Sequence, residues 1–172
     1  MAVRPIRLFP DPILKIPCKP VARIAAETLE ILRHLKDTLE ASPGVGLAAP
    51  QIGRSSQIAV VDVGRDMRRA KKPRPGTNHG LVILINPEIL LADGEQIPRE
   101  GCLSVPDLLA DVRRYAFVRV RAWDERGREL TLDAEGFEAL ALQHEIDHLQ
   151  GRLFLDRVAN LKTDLLRRKA YP

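Results

Sequence analysis

Apolar residues recur at steps of three and four between residues 21 and 41, which is the spacing of an amphipathic α-helix. One face of that helix is formed by Ile24, Leu29, Leu32, Leu35 and Leu39. Ser42-Pro43-Gly44 ends the helix, because proline and glycine do not continue a helical turn. A second helix is predicted over residues 135–149, with Asp133 as its cap, and a third over residues 160–169.

Strand patterns fill the middle of the chain. Residues 57–63 and 81–86 are rich in Ile and Val, and residues 115–123 alternate between apolar and charged positions. A hairpin is predicted over residues 90–97 and a further strand over residues 129–132. Because a helix is followed by several antiparallel strands and then by helices, the expected fold class is α+β. We expect antiparallel sheets around a central second helix, with an N-terminal and a C-terminal helix beside them.

Three segments lack a regular pattern. Residues 1–22 are rich in proline and predict an extended arm with at most a short helix around residues 11–15. Residues 44–53 are mostly small and apolar, and they predict a loop held close to another part of the molecule. Residues 65–76 are rich in Lys and Arg and predict a solvated loop, with RNA contact as the less favoured alternative.

The composition is that of a globular protein rather than a disordered or fibrous one. Of 172 residues, 45% are hydrophobic and 29% are charged, which predicts a single domain over residues 1–172. The net charge of +4 is lower than that of a dedicated nucleic-acid-binding domain. The two cysteines exclude a disulfide-rich scaffold, and no apolar run has the length of a membrane span. We therefore expect a cytoplasmic protein with no membrane contact.

The stretch Gln143-His144-Glu145-Ile146-Asp147-His148 has the spacing of a metal site on a helix. His144 and His148 are four residues apart, so both imidazoles point to the same side and can bind one ion. Glu145 stands beside them, where its carboxylate can hold a water molecule without binding the metal. The alternative is a helix whose two histidines are satisfied by ordinary hydrogen bonds.

A catalytic metal site also needs a third protein ligand and an open coordination position. Cys102 is the strongest candidate, because Gly101 beside it allows the backbone to approach closely. Asp156 is the alternative third ligand, and it would make the protein a metallopeptidase. A structural metal site or an RNA-binding module would need a fourth ligand, which the sequence does not offer near the other three.

Three segments together resemble the signature motifs of the peptide deformylase family. They are Gly44-Val45-Gly46-Leu47-Ala48-Ala49-Pro50-Gln51, Glu100-Gly101-Cys102-Leu103-Ser104 and Gln143-His144-Glu145-Ile146-Asp147-His148. The resemblance extends from Asp11-Pro12 to Asp156 and so covers nearly the whole chain. It implies an enzyme that removes the N-formyl group from the initiator methionine of nascent peptides and releases formate.

The resemblance implies that Cys102, His144 and His148 hold one divalent metal ion. Fe²⁺ is the expected native ion, Zn²⁺, Ni²⁺ and Co²⁺ are the other candidates, and water is the fourth ligand. Glu145 takes the proton of that water as general base and later delivers it to the departing amine. The chemistry agrees, because a bound divalent ion lowers the pKa of a water toward ~7.

The resemblance also implies which groups face the developing oxyanion. These are the side-chain amide of Gln51 and the backbone N–H of Leu103, a usual pair of donors for such a charge. Leu109 stands where some members of the family carry an arginine. A charged contact to the substrate chain is therefore not expected at that position.

The substrate is expected to bind as an extended strand, recognised through backbone groups. The candidate binding residues are Gly44, Val45, Gly46, Gly101 and Leu140. Val45 and Leu140, together with His144, are also the candidates for an apolar pocket that takes the methionine side chain. Ordinary core packing is the alternative reading of Val45 and Leu140.

The predicted C-terminal helix is basic. It carries Lys162, Arg167, Arg168 and Lys169. In some deformylases the C-terminal helix docks on the ribosome, so the resemblance implies a transient ribosome contact here. We expect the protein to act on N-formyl-methionyl nascent peptides as a monomer.

Overall fold

A computed structural model describes residues 2–69, 71–72 and 74–168 of the chain. Within these residues the α-helices are α1 (Ala26–Glu40), α2 (Gly64–Arg69) and α3 (Gly136–Leu149). Short 3₁₀ helices lie at Pro12–Lys15, Ala49–Ile52 and Phe154–Arg157. The strands are β1 (Gly46–Ala48), β2 (Ile58–Val61), β3 (Val82–Asp93), β4 (Arg99–Cys102), β5 (Val105–Asp111), β6 (Phe117–Trp123), β7 (Glu129–Glu135) and β8 (Leu165–Arg167).

The strands form two antiparallel sheets, a larger one in the order β1-β2-β3-β6-β7 and a smaller one in the order β4-β5-β8. Successive residues of β2 serve two different cores. Ile58 and Val60 pack with the apolar face of α1, whereas Ala59 and Val61 pack with α3. The larger sheet is therefore covered on both faces at β2, which explains why this strand is an unbroken apolar run in the sequence.

A third core lies beneath the smaller sheet and brings distant parts of the chain together. It joins Leu14 of the N-terminal arm, Cys102 of β4 and Phe154 beyond α3. Because this core lies where β4 ends, it positions the Cys102 side chain toward the C-terminal half of α3. None of the described helices combines the length and the apolarity that a bilayer crossing needs.

The expected α+β class with antiparallel sheets is confirmed. Helices α1 and α3 fall inside the predicted ranges 21–41 and 135–149, and the short helix in the proline-rich arm is the 3₁₀ turn Pro12–Lys15. The alternation predicted for β6 is also confirmed, because Val118, Val120 and Ala122 are buried while Arg119 and Arg121 between them are exposed.

The helix predicted over residues 160–169 is wrong. Residues 161–164 form turns, and β8 then pairs with β5, so that Leu166 lies opposite Leu109. Leu165 packs against the core of the smaller sheet, and this packing favours a strand at the sheet edge. Lys169 lies outside the described residues.

Asp133 does not cap α3. It lies in β7 and forms an exposed ion pair with Arg119, with 2.6 Å between the Asp133 Oδ1 and Arg119 Nε atoms. Helix α3 begins instead at Gly136, whose φ is +60° and whose missing Cβ would lie 2.6 Å from Pro75 O. A glycine conformation, rather than a side-chain cap, therefore starts this helix.

Three loop predictions also need correction. The predicted hairpin over residues 90–97 is absent, because β3 continues to Asp93 and pairs there with Phe117 of β6. Residues 44–53 are not a plain loop, since they contain β1 and the 3₁₀ helix Ala49–Ile52. Residues 65–76 are not a wholly solvated loop, since they begin inside α2 and Arg65 is buried.

Candidate active site

Two elements bring together three side chains that could hold a metal ion. Helix α3 places His144 and His148 one turn apart, and the end of β4, where the pairing with β5 shifts register, places Cys102 against them. The Cys102 Sγ atom lies 3.3 Å from His148 Nε2. One donor atom from each of the three residues lies within 4.8 Å of the other two.

The donor set fits a divalent metal ion. Tetrahedral coordination with ligand bonds of about 2.0–2.3 Å places neighbouring ligand atoms roughly 3.5 Å apart, close to the sulfur–nitrogen distance observed here. Asp156 is not part of this group. Its carboxylate accepts hydrogen bonds from Lys15 Nζ and from the Leu153 backbone N–H, so the alternative with Asp156 as third ligand is not supported.

Glu100 fixes the orientation of the first histidine. His144 Nδ1 lies 2.8 Å from Glu100 Oε2, which leaves Nε2 of the ring to face Cys102. Glu100 itself accepts two hydrogen bonds from Arg114, from Nε at 2.6 Å and from Nη2 at 3.0 Å. Arg114 also donates from Nη1 to Asp147 at 2.5 Å, so a buried ion network supports the site.

The two histidines have pKa values displaced in opposite directions. Burial disfavours the charged form of His144, but hydrogen bonds to Cys102 and Glu100 outweigh it and hold the pKa of His144 well above its usual value. Burial, together with the positive charges of His144 and Arg114, holds the pKa of His148 well below its usual value. His148 is therefore a neutral imidazole, the form that binds a metal.

Glu145 is a buried carboxylate beside the metal-binding group. It is 4% exposed, and its Oε2 atom has no hydrogen-bond partner among the described residues. Burial raises the pKa of Glu145 to about 7, with smaller contributions from neighbouring charges. Its position next to Gly46 requires a glycine there, because a Cβ on Gly46 would collide with the Glu145 carboxylate. Such an unpartnered carboxylate is suited to hold a water proton.

A cavity of about 310 Å³ opens onto these residues. The five predicted binding residues all line it; they are Gly44, Val45, Gly46, Gly101 and Leu140. Gln51, Leu103 and Glu145 line it as well. Phe137 and Ala141 extend its apolar side next to Leu140. The apolar side of this cavity, beside a buried carboxylate and three residues that could hold a metal ion, can accept a medium-sized apolar side chain.

Gln51 is held with its amide next to Cys102. Its Oε1 atom accepts a hydrogen bond from the Ala48 backbone N–H at 2.9 Å, and this contact fixes the orientation of the side chain. Its Nε2 atom donates to Ser104 Oγ at 3.2 Å and lies 3.6 Å from Cys102 Sγ. The amide nitrogen therefore points into the centre, where it can face an oxyanion.

Comparison with known proteins agrees with this geometry. The profile of the polypeptide deformylase family matches residues 3–164. A peptide deformylase of Syntrophobacter fumaroxidans is 42% identical over 169 residues, which are 98% of this chain and 94% of that protein.

The chain belongs to the polypeptide deformylase family.

Solved structures of this family have the same fold. The peptide deformylase of Legionella pneumophila superposes with a TM-score of 0.82 at 38% identity, covering 94% of this chain and 89% of that one. The peptide deformylase of Thermotoga maritima gives a TM-score of 0.81 at 35% identity, covering 93% of this chain and 100% of that one.

The deformylase cavity contains a positive charge that the sequence analysis did not place. Leu109 lines the cavity as a neutral residue. Arg168, which follows β8, lies against Leu109 and Gly101, and it also lines the cavity. Because residues 165–167 form strand β8 and pair with β5, Arg168 lies at this side of the cavity.

Four other residues of the site were not assigned a role from the sequence. Glu100 stands inside the second deformylase motif, and its position two residues before Cys102 could have drawn attention to it. Arg114 and Arg65 are charged residues whose burial cannot be seen from a pattern, because both are surrounded by partners far along the chain. Phe137 is an apolar residue of α3 that the structure places in the cavity lining.

Proposed function

We propose that this chain hydrolyses the formyl amide at the N-terminal methionine of nascent polypeptides and releases formate. The observation that carries the proposal is the position of the Glu145 carboxylate. It is buried beside the Cys102–His144–His148 group, its Oε2 atom has no hydrogen-bond partner among the described residues, and it lines a cavity with an apolar side in a member of the polypeptide deformylase family.

Cys102, His144 and His148 would hold the metal ion, and Glu100 orients His144 toward it. The ion supplies Lewis-acid chemistry, polarising the formyl carbonyl and lowering the pKa of a water at the centre. We infer that Fe²⁺ is the native ion, with Zn²⁺, Ni²⁺ and Co²⁺ as the ions that the same ligands accept. Order of affinity does not select iron, since one thiolate and two imidazoles suit zinc at least as well.

Glu145 moves the proton in this scheme. Its carboxylate takes one proton from the attacking water as the oxygen bonds to the formyl carbon. The same proton passes to the methionine nitrogen as the carbon–nitrogen bond breaks, so the products are formate and a free amino terminus. A pKa raised by burial toward neutrality suits a group that must accept and then release a proton near pH 7.

Gln51 and Leu103 stabilise the negative charge that develops on the formyl oxygen. The Gln51 amide is fixed by its hydrogen bond from Ala48, so it needs no reorganisation during the reaction. Leu103 follows Cys102 at the turn between β4 and β5 and contributes its backbone N–H. Each such donor contributes roughly 3 kcal/mol of transition-state stabilisation.

The peptide chain binds as an extended strand between residues 44–46 on one side and Gly101 on the other. Backbone groups recognise it, so the sequence beyond methionine has little influence. The methionine side chain enters the apolar end of the cavity, between Val45 and Leu140. Residues 1–172 would act as one catalytic domain, as a monomer in the cytoplasm.

The test is formate release from a formyl-Met-Ala-Ser peptide, measured together with the metal content of the protein. Cys102→Ser should lose most of the bound metal and nearly all activity, because a neutral hydroxyl replaces a thiolate ligand. Cys18→Ser is the matched control, since Cys18 is buried but is not among the residues that line the cavity, and it should behave as wild type. Full metal retention in Cys102→Ser, or no formate release by the metal-loaded wild type, would overturn the proposal.

The choice of metal is tested by formate release per mole of bound iron, nickel or zinc, with and without oxygen. Ferrous iron next to a thiolate and an open position is exposed to oxidation, so the iron form should lose activity in air. The nickel form should remain active there. If the zinc form matched the iron form and air had no effect on either, the assignment of iron would be wrong.

A further inference from the structure

The basic segment that follows β2 begins with an arginine directed into the protein. Arg65, in the first turn of α2, is only 3% exposed. A buried guanidinium is costly unless all its N–H groups have acceptors, so its partners reveal what it holds in place. Arg65 is unlike Arg68 of the same helix, which is exposed and paired with Asp62.

The partners of Arg65 are carbonyl groups at the end of α1 and in the segment after it. Its Nη2 atom donates to Leu39 O at 2.8 Å and to Ser42 O at 3.0 Å, with a longer contact to Glu40 O. Its Nη1 atom pairs with the Glu40 carboxylate. A cation at a helix C-terminus is stabilised by the helix dipole and satisfies carbonyls that have no partner within the helix.

The remaining donor of Arg65 reaches the substrate-binding segment. Arg65 Nε donates to Gly44 O at 3.0 Å, and the neighbouring carbonyl, Val45 O, accepts from the Asp62 backbone N–H at 2.7 Å. Two successive carbonyls of residues 44–46 are therefore held from the side of α2. We call residues 44–46 the substrate wall.

The opposite side of the substrate wall contacts the catalytic groups. A Cβ on Gly44 would lie 3.0 Å from the Leu103 side chain, and a Cβ on Gly46 would collide with the Glu145 carboxylate. The substrate wall is packed tightly against these two side chains. Its position relative to Glu145 and Leu103 therefore depends on the contacts on its other side. Arg65 joins it to the end of α1 through Gly44 O and Leu39 O, beside a weaker link in which the Ser42 hydroxyl donates to Leu39 O and accepts from the Gly44 N–H at 3.4 Å.

The other end of the basic segment is also fixed to the cavity. Asp66 accepts hydrogen bonds from the backbone N–H and the side chain of Arg74, and the Arg74 guanidinium carbon lies 3.5 Å from the centre of the Phe137 ring. Arg65, Asp66, Arg74 and Phe137 all line the cavity. Both ends of this segment therefore line the binding site. A freely solvated loop would make no such contact.

We infer that Arg65 is a positioning residue for substrate binding, whose forked guanidinium holds the substrate wall at the distance that an extended formyl peptide requires. The inference rests on the proposed function, because it assigns Arg65 to the binding of that substrate. Arg65 acts through residues 44–46, so its loss lowers the affinity for the peptide main chain. The proton transfer by Glu145 and the binding of metal do not depend on it.

The test compares Arg65→Gln with Arg68→Gln, which makes the same charge change on the exposed face of the same helix. Two substrates are used: formyl-Met-Ala-Ser, whose main chain extends along the wall, and formyl-methioninamide, which is too short to do so. Arg65→Gln should raise KM for the tripeptide about tenfold, the effect of losing roughly one or two well-placed hydrogen bonds. Its kcat, its metal content and its KM for the short substrate should stay within about threefold of wild type. Arg68→Gln should match wild type with both substrates.

Arg65→Lys provides the second variant. It keeps a positive charge near the end of α1 but cannot bond the helix end and Gly44 together, so it should show an intermediate KM for the tripeptide. A wild-type KM in either Arg65 variant, or an equal loss with both substrates, would overturn the inference. Failure of both variants to fold would also overturn it, since Arg65 would then serve stability alone. Absence of formate release by wild type and Arg68→Gln would instead contradict the proposed function.

Discussion

At the scale of single residues, Glu145 shows how burial prepares a side chain for chemistry. Among the described residues its Oε2 atom has no hydrogen-bond partner, an arrangement that costs stability and that folding alone would not favour. Glu145→Gln should therefore keep the metal, since Glu145 is not a ligand, and should lower formate release by about 10²–10⁴-fold. Metal analysis and the formate assay on the same sample check this. Near-normal activity in a metal-loaded variant would remove Glu145 from its role.

The same residue should make the metal-free protein sensitive to pH. The pKa of Glu145 is about 7 in the folded protein and about 4.5 when the chain is unfolded. A folded-state pKa above the unfolded value means that stability is complete below pH 4.5 and falls as the pH rises through 7. At pH 8 the loss should be on the order of 3 kcal/mol, and Glu145→Gln should not show it. Urea unfolding of both metal-free proteins between pH 5 and 8 measures the difference; parallel curves would contradict the expectation.

Residue types at fixed spacing were enough to predict the three residues that the structure brings together as a group able to hold a metal ion, but not the residues that support this group. His144 and His148 follow from a spacing of four on a helix, and Cys102 from its place in a motif. Asp147 illustrates the limit, because a helix pattern leaves open whether it is exposed or supports a histidine. The structure shows a different arrangement from both: Asp147 is buried, and it accepts hydrogen bonds from Arg114 and Arg157. Such partners come from distant parts of the chain, and local periodicity does not contain them.

At the scale of secondary-structure elements, the network around Glu100 connects β4 to α3. Opposing effects act on the pKa of Glu100: burial raises it, but hydrogen bonds from His144 and Arg114 outweigh burial and lower it to about 2. Glu100 therefore stays ionised and holds both partners at physiological pH. Because the folded-state pKa lies below the unfolded value of 4.5, the stabilisation is present above pH 4.5 and is lost as the pH falls toward 2.

Glu100→Gln should weaken metal binding as well as stability. An amide cannot accept from both Arg114 and His144 as a carboxylate does, so His144 loses its fixed orientation, and metal affinity should fall about 10–100-fold. Competition with a chromophoric chelator measures this loss. The control is Asp111→Asn, which removes a carboxylate from an exposed ion pair with Arg99 and should change metal affinity little. Equal affinities in the two variants would mean that Glu100 does not orient the ligand.

Elements were predicted well where packing and periodicity agree. Helix α1 covers one face of the larger sheet, and β6 alternates as a half-exposed strand should. The C-terminal segment was predicted wrongly because Leu165 and Leu166 are adjacent apolar residues, which fit a helix or a short edge strand equally well. Pairing with β5, some 55 residues earlier, decides between them, and this pairing cannot be seen in the local sequence.

At the scale of the whole molecule, the basic C-terminal segment is the remaining surface with a proposed partner. We propose that it makes a transient contact with the ribosome, although it is a turn and a strand rather than a helix. Lys162 and Arg167 are exposed, whereas Arg168 lines the cavity and serves the substrate side. A test of ribosome binding should therefore change Lys162 and Arg167 only.

The double variant Lys162→Gln/Arg167→Gln should bind ribosomes more weakly at low salt, because phosphate contacts release counterions. The slope of log affinity against log salt should decrease by roughly 1–2 if each residue contacts one phosphate. Formate release from a short peptide should stay at the wild-type level.

Arg119→Gln/Arg121→Gln is the control, since it removes the same net charge from the exposed face of β6, where both arginines are paired with carboxylates. Co-sedimentation with ribosomes at a series of salt concentrations distinguishes a specific contact of the C-terminal segment from a general effect of net charge. If both double variants lose binding equally, net charge alone is responsible; if neither does, the C-terminal segment has no ribosome contact and only completes the smaller sheet.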